Sequence, residues 1–202
     1  LGLREYDFFP DLNNRLSENS VDSFKTLILR NGGNGWLEAY FRDVLAHSLV
    51  EHMKLDIQGY KPVIIFINGE YWGIHNIRTR YDEHYFSSYY GIDPEELVVL
   101  NSAVGNLYIG NPGDEDSFIN LLKIIDENYI ENDYQTVDTL SDPSLYEAFV
   151  KQIDIDNYIN YQVSYIYFKN TDWPHNNVRL WRKNINPTET ELSRDNFGHD
   201  GK

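Results

Sequence analysis

The chain has 202 residues, no cysteine, and a formal net charge of −15 from 17 basic and 32 acidic residues. Without cysteine there are no disulfides, no thiolate nucleophile and no cysteine-ligated zinc or iron–sulfur site. The acidic balance argues against nucleic acid as a partner, because nucleic-acid affinity comes from lysine and arginine neutralising phosphates. Apolar residues are 41% of the chain, enough for a core, and no stretch approaches the ~20 apolar residues of a membrane span.

The first part of the chain predicts strand, turn and one helix. Residues 1–23 are polar and weakly periodic, and we interpret them as an N-terminal arm. Residues 24–30 are rich in apolar and β-branched side chains and are followed by Asn31-Gly32-Gly33, which predicts a strand that ends in a turn. Residues 36–53 carry apolar side chains three and four positions apart, which predicts an amphipathic helix.

A β-hairpin is the clearest local prediction. Two strand-like runs, 63–67 and 70–78, flank Asn68-Gly69, whose residues tolerate the positive φ of a tight turn. Asp82 can then cap a short helix that Gly91 ends, and another apolar strand follows at residues 97–100.

The second part of the chain changes to a helical period of about 3.6 residues. Three helices and a strand are predicted, over residues 114–130, 145–152, 154–168 and 178–181. We therefore expect an α+β chain with two lobes, a strand-rich lobe over 24–110 and a mainly helical lobe over 111–202. Residues 184–202 are polar and stop without a terminal element, so we interpret the chain as a piece of a longer protein.

The loop from Asn170 to Asn177 concentrates reactive side chains between a helix and a strand. Asp172 offers a carboxylate that can accept a hydroxyl proton, and the amide oxygen of Asn177 can coordinate a hard cation. An Asp followed five residues later by an Asn is also the spacing of the protein-kinase catalytic loop. Asp and Asn are common in loops for structural reasons too, because they bond to their own backbone. From these residues alone both interpretations stay open.

Two arginines are the candidates for binding phosphate. Arginine forks match phosphate geometry, and an acidic protein that binds a nucleotide needs a locally positive cleft. Arg30 is followed, after Asn31, by a glycine pair that lets a ligand approach the backbone, and Arg78 is the last residue of the predicted hairpin. The alternative is that such arginines are ordinary solvated or paired surface charges. No Walker A loop, no G-x-S-x-G and no histidine pair at metal-binding helical spacing occurs in the sequence.

The sequence has 16 tyrosines, which raises the alternatives of sugar-stacking surfaces and core packing. Several lie at helical spacing in the last predicted helix, namely Tyr158, Tyr161, Tyr165 and Tyr167. Residues that repeat three and four positions apart share one helix face, and we therefore expect these tyrosines to pack in the interior.

Four segments in the same order resemble the spore-coat protein H (CotH) kinase-like family. They are FKTLILRNGGN at 24–34, FRD at 41–43, INGEYWGI at 67–74 with Arg78 and Asp82, and NTDWPHNN at 170–177 with Trp181-Arg182. The resemblance implies a protein-kinase-like fold, use of ATP and Mg²⁺, and phosphoryl transfer to a Ser or Thr hydroxyl of a protein exported by a bacterium or held at its cell surface. By this resemblance Asp172 matches the catalytic-loop Asp and Asn177 the metal-binding Asn.

The chain departs from the family pattern at three points. Gly35 and Thr79 stand where the family often has acidic residues, and the family's second metal-binding Asp is expected beyond Lys202. Losing that ligand would remove most of the rate of phosphoryl transfer. We therefore expect the 202 residues alone to be inactive. The alternative is a non-catalytic, kinase-like binding or structural module at the cell surface.

Overall fold

The computed structural model describes residues 4–5, 8–10, 12, 20–33, 35, 38–53, 55–101, 105–125, 141–173 and 177–184. Within these residues the chain forms eight strands and five α-helices, and every strand pair is antiparallel. The chain divides into two compact units, Leu1–Pro94 and Glu95–Lys202. The presence of both helices and antiparallel sheets confirms the predicted α+β composition of the chain. The predicted lobe boundary between residues 110 and 111 stays a prediction.

The first unit combines a small strand pair, a three-stranded sheet and two helices. Its elements are β1 (Arg4–Glu5), β2 (Ser23–Phe24), β3 (Leu27–Arg30), α1 (Arg42–Leu49), β4 (Tyr60–Ile67), β5 (Glu70–Thr79) and α2 (Glu83–Tyr90). β1 pairs with β2, and β5 lies between β3 and β4. The predicted arm therefore contributes a strand, and the predicted strand over 24–30 is divided after residue 24.

The hairpin of β4 and β5 confirms the prediction made from Asn68-Gly69. Both residues have positive φ, 52° and 85°, as the favoured two-residue hairpin turn requires. Pairing shifts near the turn, so that Trp72 is an extra residue of β5, and Gly73 beside it has φ of 107°. The two strands are longer than predicted and carry the sheet as far as Tyr60 and Thr79.

The first helix corrects the prediction for residues 36–53. α1 is only eight residues long, a 3-10 turn follows at Glu51–Met53, and residues 36–37 lie outside the described residues. Val44 is its only buried residue, while the apolar side chains predicted to face the core, Phe41, Leu45 and Leu49, are exposed. The physical reason is that, beside Val44, the polar residues Asp43 and His47 of α1 bind the rest of the unit, as described below.

The second helix forms as its local signals predict. The Asp82 carboxylate accepts hydrogen bonds from the backbone N–H groups of His84 and Tyr85, both at 3.1 Å, and Gly91 ends the helix in the left-handed conformation. The helix supplies much of the core of the first unit. Its buried residues are Tyr85, Phe86, Tyr89 and Tyr90.

The second unit contains a second antiparallel sheet and three helices. Its elements are β6 (Leu97–Asn101), β7 (Asn106–Ile109), α3 (Asp116–Ile125), α4 (Pro143–Val150), α5 (Ile155–Tyr167) and β8 (Arg179–Lys183). β6 is central between β7 and β8, and residues 97–100 are all buried. Because of this sheet, the predicted mainly helical second half is confirmed only in part. Residues 126–130 of the helix predicted over 114–130 lie outside the described residues.

The tyrosines of α5 do not all pack as predicted. Tyr161 and Tyr165 are partly buried, whereas Tyr158 is exposed and Tyr167 is 81% exposed. Tyr167 follows Tyr165 by two residues, which is about 200° around a helix, so the two side chains lie on different faces. Across the described part of the chain, no helix has the length and apolar character needed to cross a membrane.

Candidate functional site

The loop after α5 is tied to the helix at its start. Lys169 adopts the left-handed conformation with φ of 50°, and the Asn170 N–H donates to the Tyr165 carbonyl at 3.1 Å. The Asn170 side-chain oxygen then accepts the N–H of Asp172 at 2.9 Å. A side chain that bonds to the backbone two residues later stabilises a turn. The backbone at Asp172 is therefore set by the end of the helix and by Asn170.

Asp172 and Asn177 lie in direct contact. Asn177 has φ of 58°, and its amide Nδ2 donates a hydrogen bond to the Asp172 carboxylate. Both residues are exposed, and Pro174 and His175 between them lie outside the described residues. When the amide nitrogen binds the carboxylate, the oxygen of the same planar group stays available to a cation. The structure thus brings together a proton acceptor and a hard-cation ligand on one exposed loop.

Trp173 packs against two tyrosines of α5. Its ring centroid lies 5.7 Å from that of Tyr165 and 6.5 Å from that of Tyr161, and the two tyrosine rings are 4.3 Å apart. Burial, together with a hydrogen bond to Tyr165, raises the pKa of the Tyr161 hydroxyl. This hydroxyl stays protonated, and the three rings form one cluster beside the loop.

The two candidate phosphate-binding arginines share one carboxylate in the first unit. Asp43 of α1 accepts Arg78 Nη2 at 2.8 Å through one oxygen and Arg30 Nη1 at 3.1 Å through the other. Arg78 also donates to the Gln58 side chain at 3.3 Å. Arg78 is 1% exposed, whereas the Arg30 side chain is 48% exposed. Arg78 is thus a buried anchor, and Arg30 presents part of its guanidinium to solvent.

The charges of Arg30 and Arg78 alter the pKa values of two neighbouring residues, Asp43 and His47. Burial alone would raise the pKa of Asp43, but the hydrogen bond and charge of Arg78, and the charge of Arg30, outweigh it and lower the pKa. Burial, and then the charge of Arg78, lower the pKa of His47 to about 4. The Nδ1 of His47 accepts the Gln58 backbone N–H at 3.1 Å. His47 is therefore a neutral acceptor at neutral pH.

A cavity of about 180 Å³ lies beside Arg78 in the first unit. Its polar lining includes His47, Ser48 and Tyr60, and Phe9 and Leu12 of the arm contribute apolar walls. Within the described residues the Nε–H of Arg78 has no acceptor. This nitrogen is buried, so Arg78 does not present it to solvent.

The glycine turn after Arg30 is partly explained by packing. Gly32 has φ of 85°, and a Cβ added there would lie 3.0 Å from the Cβ of Tyr40. At Gly33, with φ of 53°, an added Cβ would meet nothing within 4 Å, and the Gly33 N–H donates to the Asn31 side chain at 3.0 Å. Gly32 is therefore needed for the contact with Tyr40, while only Gly33 leaves space for a ligand.

The four predicted site residues fall into two groups, each within its own unit. Asp172 and Asn177 belong to the second unit, and Arg30 and Arg78 to the first. Among the described residues no three His, Asp or Glu side chains gather as a metal site. Two partners were missed from the sequence: Asp43, which joins the arginines, and Asn170, which sets the turn at Asp172. The Asn170–Asp172 spacing is a recognisable turn signal, and Asp43 lies in the FRD segment of the family resemblance, but nothing in the sequence near Asp43 indicates that it binds the two arginines.

One protein-family model matches most of the chain. The family model described as CotH kinase protein matches residues 5–194. No curated protein and no solved structure matches the chain. The match spans both units and includes all four candidate site residues and both missed partners. The chain therefore belongs to the CotH kinase protein family.

Proposed function

We propose that this protein transfers the terminal phosphoryl group of ATP, with Mg²⁺, to a Ser or Thr hydroxyl of a protein exported by a bacterium or held at its cell surface. The contact between Asp172 and Asn177 carries the proposal. Family membership supports a kinase-related function, and in this contact a proton acceptor and an amide that can bind a cation lie together on one loop. The setting at the cell surface follows from the family resemblance.

In this mechanism Asp172 orients the acceptor. Its carboxylate accepts the hydroxyl proton as the hydroxyl oxygen bonds to the terminal phosphorus and the bond from that phosphorus to the ADP oxygen breaks. Asn177 donates a hydrogen bond to one oxygen of this carboxylate, which limits its rotation. The exposed position of both residues leaves room for a protein substrate.

The donor chemistry of the loop fits a hard cation. Mg²⁺ prefers oxygen ligands and keeps several waters, so one or two protein oxygens and the phosphates of the nucleotide suffice. The Asn177 amide oxygen is the proposed ligand. When bound, Mg²⁺ neutralises charge on the transferred phosphoryl group.

Arg30 and Arg78 keep their proposed roles as phosphate contacts, with different geometry. Arg30 is held at one nitrogen by Asp43, and the rest of its half-exposed guanidinium can bind phosphate. Both terminal nitrogens of Arg78 donate hydrogen bonds, to Asp43 and to Gln58, and its side chain is 2% exposed, so Arg78 mainly anchors Asp43. We expect substitution of Arg30 to weaken ATP binding without unfolding the unit.

The test compares Asp172→Ala with Asp156→Ala, an exposed aspartate of α5. The protein from the complete gene and the 202-residue chain are assayed together, because we propose that the second metal ligand lies beyond Lys202 and that the shorter chain is inactive. Loss of a positioned acid–base group lowers the rate by about 10²–10⁴-fold. Asp172→Ala should show this loss, and Asp156→Ala should not. Absence of ATP·Mg²⁺ binding by the protein from the complete gene, or equal rates of the two variants made in that protein, would refute the proposal.

A second candidate is a non-catalytic binding module at the cell surface. Phe66, Tyr71 and Trp72 of the hairpin are each more than 60% exposed, and exposed aromatic rings are suited to binding glycans or proteins. Thr79 is buried, and its hydroxyl oxygen accepts a hydrogen bond from the Gly59 N–H at 3.0 Å. A hydroxyl is neutral, so Thr79 does not supply the charge that the family often has at this position. Titration calorimetry with nucleotides and with glycans separates the two: glycan heat without nucleotide heat favours the module.

A further inference from the structure

The carboxylate of Asp172 has to point in one direction if it is to act on a hydroxyl, yet it lies on an exposed loop. Thr171 and Asp172 are both exposed, and the turn made by Asn170 controls only the backbone before Asp172. Trp173 is the residue directly after Asp172, and its side chain is partly buried. The ring of Trp173 is therefore the apolar contact that can hold the loop on the far side of Asp172.

The contact surface for Trp173 is itself well ordered by its neighbours. Tyr161 and Tyr165 are one helical turn apart on α5, and their rings lie 4.3 Å apart at 32°. Trp173 approaches the two rings at 46° and 64°, as aromatic clusters prefer over a flat sandwich. The backbone carbonyl of Tyr165 also accepts the Asn170 N–H at 3.1 Å, so Tyr165 contacts the loop on both sides of Asp172.

From this geometry we propose that Trp173 is a positioning residue that, by docking on Tyr161 and Tyr165, sets the direction of the Asp172 carboxylate and keeps it against Asn177. The proposal rests on the proposed function, since it assigns a role in that reaction. Trp173 touches no reacting atom in it. Small displacements of a reacting group lower rates steeply, by about 10²-fold for a shift near 1 Å. Loss of this docking should therefore reduce kcat far more than it changes KM for ATP.

The kinetic test uses the protein from the complete gene with two variants of Trp173 and one control variant. Trp173→Ala is expected to lower kcat about 10²-fold, and Trp173→Phe, which keeps a ring in the cluster, should recover most of the rate. Tyr167→Ala removes an aromatic side chain of α5 that is 81% exposed and lies outside the cluster, and it should leave kcat unchanged. Equal loss in the Ala and Phe variants, or a loss expressed in KM with kcat retained, would overturn the proposal.

A second measurement does not need catalysis. The Asn177 side-chain amide, bonded to Asp172, should give NMR signals distinct from solvent-exposed amides, and these signals should move to exposed-amide positions in Trp173→Ala but stay in Trp173→Phe. Should Trp173→Ala fail to fold, Tyr161→Phe removes only the hydroxyl bond to Tyr165 and should shift the signals part of the way. Unmoved signals would refute the positioning role even in an active kinase. An inactive wild-type protein whose signals move as expected would refute the proposed function and leave the docking intact.

Discussion

Replacing Asp43 by Asn tests whether the link between α1 and the sheet stabilises the first unit. The substitution keeps the size of the side chain but removes the charge that faces Arg78 and Arg30. Removing one partner of a buried ion pair costs about 3–5 kcal/mol, because the other charge stays buried. The Arg78 side chain is 2% exposed, but that of Asp43 is 36% exposed and is screened by water. We therefore expect a smaller loss, about 2–3 kcal/mol.

The control substitution removes a carboxylate from an exposed pair just before the same helix. Glu38 binds Arg42 at 2.7 Å, with both side chains more than 60% exposed, and such pairs contribute about 0.3–0.5 kcal/mol. The assay is amide hydrogen exchange of β5, which contains Arg78 and reports the first unit directly. Asp43→Asn should lower the opening free energy of these amides several times more than Glu38→Gln does. Equal effects would show that the bridge to Arg78 does not hold the sheet and helix together.

The same variant has a defined pH dependence. The folded-state pKa of Asp43 is lowered, so its contribution is present above its usual pKa of 3.8 and is lost as pH falls through the folded value. The difference between wild type and Asp43→Asn should therefore be constant at neutral pH and shrink below about pH 3.8. A difference that persists at lower pH would mean that the charge of Asp43 is not its cause.

Three further substitutions test local features. The pKa of His47 is about 4 in the folded protein against an ordinary value of 6.5, so neutral His47 contributes at most about 3 kcal/mol to the free energy of unfolding, complete above pH 6.5 and lost toward pH 4. His47→Asn should keep an acceptor for the Gln58 N–H and make the free energy of unfolding, measured with urea, less dependent on pH in this range. An unchanged pH dependence would contradict this. Asp82→Ala removes the cap of α2 and should cost about 1–2 kcal/mol in urea denaturation, whereas no loss would mean that the cap is dispensable. Gly59→Ala would place a Cβ 2.8 Å from a ring atom of Phe9 and should lower thermal stability by about 1–3 kcal/mol. Gly35→Ala, whose Cβ would lie 3.7 Å from the nearest atom, should not lower it. Equal stabilities of the two variants would refute the close approach at Gly59.

The accuracy of the sequence predictions followed the range of the interactions involved. The hairpin depends on the φ values of two adjacent residues, Asn68 and Gly69, and the start of α2 depends on Asp82 and two nearby amides. Such short-range causes are visible in sequence. The proposed catalytic pair is of the same kind, because Asp172 and Asn177 are five residues apart in one loop.

The predictions that were wrong or missing involve contacts between residues far apart in the chain. α1 was predicted to bury an apolar face, but Val44 is its only buried residue, and Asp43 and His47 bind Arg78 of the following hairpin and Gln58 of the segment before it. The Asp43–Arg78 bond joins residues 35 positions apart, and no periodicity within the helix reports it. No element was predicted for the residues of β7, because this short run becomes a strand only by pairing with β6.

The sequence by itself determined the class of fold, the hairpin, the helix cap and the loop that brings a carboxylate and an amide together. These depend on backbone preferences and on hydrogen bonds between residues close in the chain. Only the tertiary structure decided that Arg78 is a buried anchor and Arg30 a half-exposed one, and that Trp173 docks on Tyr161 and Tyr165. Burial and pairing arise from segments that meet in space, and such meetings leave no mark in the local order of residues.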